Sequence, residues 1–175
     1  MSCYRNLNGQ VFLSVFIFYI LSASFSSAAS TYSIYLVRHA EKIDDAKDSS
    51  LTRCGKFRAK QLASLLSRTN ITQVYSTHYK GTMQTARALS NQQQIAIKTY
   101  NSNYLAQVSL QLQQQKKNTL VVGSSETIPR LISLLTQKVV TSISEQDYQL
   151  LYQLQFIDKK ILFTILQQPL SCKNS

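Results

Sequence analysis

In the run Tyr35–Lys42, YLVRHAEK, an arginine and a histidine stand side by side where an apolar stretch ends. A guanidinium offers a planar fork of donors matched to phosphate oxygens, and an imidazole nitrogen can attack phosphorus. Arg38 therefore suits phosphate binding and His39 suits nucleophilic attack. Alone the pair is a weak signal, because a single histidine usually serves packing. Glu41, Asp44, Asp45 and Asp48 follow closely. Any of them has the chemistry of a general acid, and a solvated acidic loop is the plainer reading.

Competing chemistries find less support. With two His and three Cys in the chain, and no zinc-type ligand spacing, a metal site is not expected. No Gly-rich phosphate loop occurs, and no cofactor is implied. Gly123-Ser124-Ser125 lacks the second glycine of a serine-nucleophile elbow.

The elements that must position Arg38 and His39 follow from periodicity. Thr31–Val37 is β-branched and aromatic without a breaker, a buried strand that delivers the pair at its carboxyl end. A helix opens at Leu51-Thr52, with Phe57, Leu62, Leu65 and Leu66 expected on its apolar face. Short strands are expected at Gln73–Ser76 and Ile95–Thr99, and a buried one at Thr119–Gly123. Helices are expected at Thr82–Ser90, Tyr104–Gln115 and Ile128–Leu135, the last with Pro129 in its first turn, where proline is tolerated. Two β-like runs, Asp147–Phe156 and Lys160–Gln167, flank Ile157-Asp158-Lys159 as an antiparallel hairpin. Strand and helix alternate through most of the chain. That pattern predicts an α/β fold, a three-layer α/β/α sandwich with a mainly parallel central sheet and an antiparallel C-terminal hairpin. Ligands of such sheets bind at the carboxyl ends of the strands. No repeat or linker interrupts it, and the Gln clusters at 92–94 and 113–115 read as solvated element ends.

Residues 1–29 read differently. Arg5 precedes the apolar run Val11–Leu21, and small residues follow up to Ala29. A basic start, a short apolar run and a small-residue exit describe a secretory signal peptide, with cleavage after Ala28 or Ala29. An uncleaved anchor is the alternative, but a run this short falls below the roughly 20 residues that span a bilayer. The expected organisation is thus a signal peptide at 1–29 and one domain at 30–175, periplasmic or secreted, with no membrane span after cleavage. Of the 175 residues, 44% are hydrophobic, which excludes intrinsic disorder by composition. The formal net charge of +11 drops by only one with the signal, so the basicity belongs to the domain. It favours an anionic ligand. Export and the scatter of Lys and Arg argue against nucleic acid, and oligomeric state is left open. Cys54 and Cys172 remain after cleavage and could form one disulfide, or stay as two thiols.

Four blocks occur in order: YLVRHAEK, LTRCGKFRA from Leu51, VYSTHYKGTMQTA from Val74 and LVVGSSETIPRLI from Leu120. Together they resemble the histidine phosphatase superfamily, which includes phosphoglycerate mutases and acid phosphatases. The likeness spans Tyr35 to about Leu166 and is nearest to small, exported, single-domain members. It implies that His39 accepts the phosphoryl group and that Arg38 binds it. It also implies a second phosphate-binding arginine where this chain has Gly81, and a second histidine where it has Ser124. Two positions of the implied pocket are therefore degenerate, and Glu126 would repel a phosphate dianion if it faced the pocket. Ser124 and Ser125 precede a helix, where hydroxyls and free N–H groups bind anions. Lys80 could stand in for the missing arginine, and His78 could donate a proton, although an exposed loop histidine is the simpler account of it. No catalytic role attaches to Cys54. The leading expectation is a phosphatase-like protein impaired in turnover that binds a phosphorylated small molecule or other anion. The alternative is a slow phosphomonoester hydrolase working through a phosphohistidine at His39.

Overall fold

The apolar run at residues 31–38 forms β1 (Thr31–Arg38), which lies inside the sheet with every residue after Thr31 buried. In the computed structural model, which describes residues 30–140 and 144–169, β1 is followed by α1 (Arg53–Leu65), β2 (Gln73–Ser76), α2 (Lys80–Gln93) and β3 (Ile97–Thr99). A 3₁₀ turn at Ser102–Tyr104 leads into α3 (Leu105–Gln115), β4 (Thr119–Gly123), α4 (Thr127–Thr136), β5 (Leu150–Ile157) and β6 (Lys160–Gln167). Among the described residues the sheet has six strands in the order β3-β2-β4-β1-β5-β6. The first four of that order run parallel, and β5 and β6 are antiparallel, as expected. The expected signal peptide at 1–29 and Cys172 lie outside the described residues.

Side-chain alternation sorts the two faces. Tyr32, Ile34 and Leu36 of β1 join Val121 of β4 and the apolar stripes of α3 and α4. Tyr35 and Val37 join Leu120, Val122 and the buried faces of α1 and α2. Helices thus cover both faces and make the three layers. Each fully buried Ile or Leu, such as Ile34, Leu36 or Leu131, contributes about 1.5–3 kcal/mol from loss of water contact.

Helix α1 differs from expectation in an informative way. Phe57 and Leu65 are about half exposed, at 51% and 48%. The buried face instead carries Gly55, Arg58, Ala59, Leu62 and Ala63, with Leu66 at the cap. A buried arginine organises it. The Arg58 Nε donates to both Glu41 carboxylate oxygens at 2.9 Å, and a terminal nitrogen reaches one of them at 2.6 Å. Glu41 is therefore neither a solvated loop residue nor a candidate acid: its carboxylate belongs to Arg58. Its backbone carbonyl also accepts from the Thr52 N–H at 2.9 Å, and a side chain on Gly55 would run into that same carbonyl. Thr52 caps the helix by accepting from the Gly55 N–H. Leu51 stays outside the helix and bridges to Lys42.

Cys54, in the first turn of α1, is disulfide-bonded. At the hairpin, Ile157 pairs with Lys160, so the turn is the two residues Asp158-Lys159, with Asp158 at a left-handed φ of 52°. Among the described residues no helix is long and apolar enough to cross a membrane.

Removing Arg58 leaves Glu41 as an uncompensated buried charge. Arg58→Ala should lower the unfolding free energy by about 3–5 kcal/mol, measured by urea denaturation. The double change Glu41→Leu with Arg58→Met should recover most of that loss, since a buried ion pair can be replaced by apolar side chains.

Candidate active site

The register of β1 brings the site together. Arg38 sits level with Gly123 of β4, and the His39 N–H donates to the Gly123 carbonyl at 2.8 Å. The Ala40 N–H is held by the Thr85 hydroxyl at 3.0 Å, and that hydroxyl donates to the Gly81 carbonyl at 2.7 Å. The chain leaving β1 is thereby laced to α2 and β4. Beyond it lies a cavity of about 390 Å³, lined by Arg38, His39, Gly81 and Ser124 among others. The signature pair and both degenerate positions face one space.

The His39 side chain is buried, at 7% exposure. Its Nδ1 lies 2.9 Å from the Ala40 carbonyl oxygen. A carbonyl can only accept, so Nδ1 carries the proton and Nε2 keeps its lone pair. Burial first, then the charges of Arg38 and Lys42, lower the imidazole pKa to about 4, against the opposing Ala40 hydrogen bond and Glu41 charge. The ring is neutral at pH 7, the state a nucleophile needs.

Arg38 is held from the far side of β1. Its guanidinium carbon lies 4.4 Å from the centre of the Tyr148 ring, and one terminal nitrogen donates to the Ser144 carbonyl at 3.2 Å. Its Nε has no hydrogen-bond partner among the described residues. Because Val37 pairs with Leu151 in antiparallel register, the residues just before β5 project past the carboxyl end of β1. Tyr148 and Glu145 therefore reach the site from a segment that carries no motif, and sequence reading gave them no role. Only the pairing of β5 with β1 could have pointed to them.

Lys80 does not enter the cavity lining. Its ammonium lies 3.5 Å from the Asp48 carboxylate and its backbone N–H donates to Asp48 at 2.7 Å, both side chains being well exposed. Asp48 serves as a partner for the start of α2, and Asp44 closes a local turn by accepting from the Ala46 N–H. Lys42 and Lys47 supply the cations instead, and Asp45 lines the cavity beside them. The Lys42 stem crosses Gly81 so closely that a Cβ there would lie 3.2 Å from Lys42 Cδ. Its ammonium donates to the Ala46 carbonyl at 2.7 Å. The absence of a side chain at Gly81 is what makes room for it. Lys42 stood inside the signature run, but nothing in the run itself showed which way its side chain would turn. Lys47 holds its ammonium 4.9 Å from the Tyr79 ring centre.

Ser124 is committed to the start of α4. Its hydroxyl accepts from the Glu126 and Thr127 N–H groups at 3.3 and 3.1 Å, and its own N–H donates to the Thr127 hydroxyl at 2.7 Å. The Ile128 N–H is taken by the Ser124 carbonyl. The N–H groups of 126–128, expected to be free for an anion, are thus internally bonded. Ser125 lines the cavity, as do Glu126 and Glu145. His78 is exposed, its ring 4.2 Å from that of Tyr79, and it is not part of the lining.

Residues 34–102 match the model of the histidine phosphatase superfamily (branch 1). No curated protein matches the sequence significantly. Among solved structures, the chain is similar to a mycobacterial glucosyl-3-phosphoglycerate phosphatase, with a TM-score of 0.64 at 10% identity, over 81% of this chain and 100% of the other. It is similar to the protein histidine phosphatase SixA, solved with tungstate, with a TM-score of 0.60 at 12% identity over 78% and 97%. A phosphoserine phosphatase from Entamoeba histolytica, solved with 3-phosphoglyceric acid, gives 0.60 at 16% over 76% and 95%. The matched segment ends before β4, so Gly123–Thr127 enters the site through the fold and not through that match. Residues 34–102 thus carry the signature of the histidine phosphatase superfamily, and the described domain as a whole has the histidine phosphatase fold.

Proposed function

We propose that this protein binds phosphomonoesters in the His39 cavity and hydrolyses them slowly through a phosphohistidine. The observation that carries this reading is the state of His39: buried, neutral and turned so that Nε2 keeps its lone pair. Arg38 and Lys42 grip the phosphoryl oxygens. Nε2 attacks phosphorus as the bond to the ester oxygen breaks, and that oxygen takes a proton from water. A second water then attacks the phosphohistidine, releasing inorganic phosphate and returning the electron pair to Nε2. Transition-state charge is stabilised by fewer donors than the resemblance implies, because Gly81 and Ser124 supply neither a guanidinium nor an imidazole. Losing one such donor commonly costs 10²–10³-fold in rate, and paired losses do not simply multiply. One observation favours a second reading, a protein that only binds: the Ser124 hydroxyl is already spent on α4.

Export is part of the proposal. The 1–29 sequence pattern supports it, and a disulfide-bonded Cys54 suits an oxidising compartment. Expressed as the full chain in a bacterium with two membranes, the protein should be recovered from the periplasm with Ala29 or Ser30 at its amino terminus, read by sequencing.

Hydrolysis of 4-nitrophenyl phosphate should be measurable and fall at least about 100-fold in His39→Ala. Equal rates in the two proteins would leave only the binding role. Gly81→Arg combined with Ser124→His should raise turnover about 100-fold or more, with Lys42 displaced from over residue 81.

The His39 pKa has a stability consequence with a definite sign. Its folded value, about 4, lies below its unfolded value of 6.5, so the unfolded chain takes up the proton first. Stability is lost as pH falls from about 6.5 to about 4, by roughly 3 kcal/mol for a shift of that size. Chemical denaturation at pH 7 and pH 4 should show this loss in the wild type and its absence in His39→Asn.

A further inference from the structure

Acidic and basic residues are segregated along this chain. From Ser49 to Ser125 there is no Asp or Glu, against ten Lys and Arg. Among the described residues only two of the ten pair with a carboxylate, Arg58 with Glu41 and Lys80 with Asp48. Scattered as the rest look in the sequence, the fold concentrates five of them on the layer of α1 and α2. Arg53, Lys56 and Lys60 recur at helical spacing on the exposed side of α1, and an exposed Arg68 follows its cap. Helix α2 packs alongside α1 and adds an exposed Arg87. Neither helix contains Asp or Glu, so their own residues do not offset this charge.

Charge alone would suit any polyanion, but the same side of α1 also carries apolar surface. Phe57 is half exposed and stands between two of the cations: the Arg53 guanidinium carbon and the Lys60 ammonium each lie 5.9 Å from its ring centre. Leu65, two turns further on, is nearly as exposed. The outer face of α1 is thus an apolar ring with cations about it, and not a uniformly polar surface. Such a face matches the boundary between lipid headgroups and acyl chains. The ring enters the apolar zone, while the Lys and Arg stems run beside it and leave their charges among anionic headgroups. An acidic polypeptide would meet the cations and leave the ring in water.

We propose that the outer face of α1 docks the protein on an anionic lipid bilayer, with Phe57 in the interface and Arg53, Lys56 and Lys60 on the headgroup phosphates. With 13 residues, α1 lies on the surface and does not cross it. None of these residues lines the His39 cavity, so docking is independent of turnover there.

The chain has no Trp, so Phe57→Trp supplies a single fluorophore at the point of contact. Its emission should shift to the blue on vesicles of phosphatidylglycerol mixed with phosphatidylcholine, at low ionic strength, and stay unchanged on phosphatidylcholine alone. Arg53→Gln, Lys56→Gln and Lys60→Gln together should weaken co-sedimentation with the anionic vesicles about 100-fold relative to wild type. All three side chains are exposed, and an unchanged urea midpoint shows that the variant is folded. Failure of the wild type to sediment with the anionic vesicles overturns the proposal, as does binding that the triple variant retains. Vesicle binding without a blue shift overturns it as well, and equal binding to soluble poly-glutamate would then assign the face to an acidic protein.

Discussion

The ion pair between Glu41 and Arg58 decides where the chain goes once β1 ends. An apolar strand that stops at Arg38 could lead its next residues anywhere over the sheet edge. Here Glu41 is drawn inward to a buried guanidinium on α1, while its carbonyl receives the Thr52 N–H and its backbone lies against a helix that has only a glycine at the point of approach. Those contacts pull residues 39–41 across the carboxyl ends of β1 and β4 and keep His39 under cover. Burial then sets the chemistry of the imidazole. A ring exposed at the same place would be partly protonated near neutrality and would have no fixed direction for its lone pair.

On the proposed function, the cavity around that ring is a phosphate pocket in which two members implied by the resemblance, at Gly81 and Ser124, are replaced. Gly81 does not leave a hole, because the Lys42 stem occupies the space over it. Ser124 does not replace an imidazole; its hydroxyl accepts the N–H groups at the start of α4. Binding charge is thus partly restored, from an adjacent strand exit, while the donor that would act in the transition state is not. Under the proposed function such a division would hold affinity better than rate, because a lysine supplies a point charge but not the bidentate geometry of arginine.

Much of this was legible in the residues. The β-branched run of β1, the ordered blocks and the hairpin around Asp158 set the layers and the sheet, and the Arg38-His39 pair marked the site. What stayed hidden depends on tertiary register. Phe57 and Leu65 looked like core because their spacing is helical, yet the buried stripe of α1 runs through Arg58, whose charge disguised it. Lys80 was a reasonable stand-in by sequence adjacency to Gly81, but adjacent helical residues point in different directions. Asp48 holds Lys80 outside the cavity. Tyr148 and Glu145 have no motif at all; Tyr148 comes to Arg38, and Glu145 to the cavity lining, only because β5 runs antiparallel beside β1.

The proposed function stands or falls with His39 acting as the nucleophile. The most direct measurement is a rapid acid-free quench of the protein with an excess of phosphorus-labelled aryl phosphate, followed by peptide mapping. The expected result is one acid-labile, alkali-stable phosphoryl group on His39, which disappears when unlabelled ester replaces the labelled one. A labelled residue other than His39, or hydrolysis of the ester with no label on the protein at any time point, would rule out His39 as the nucleophile.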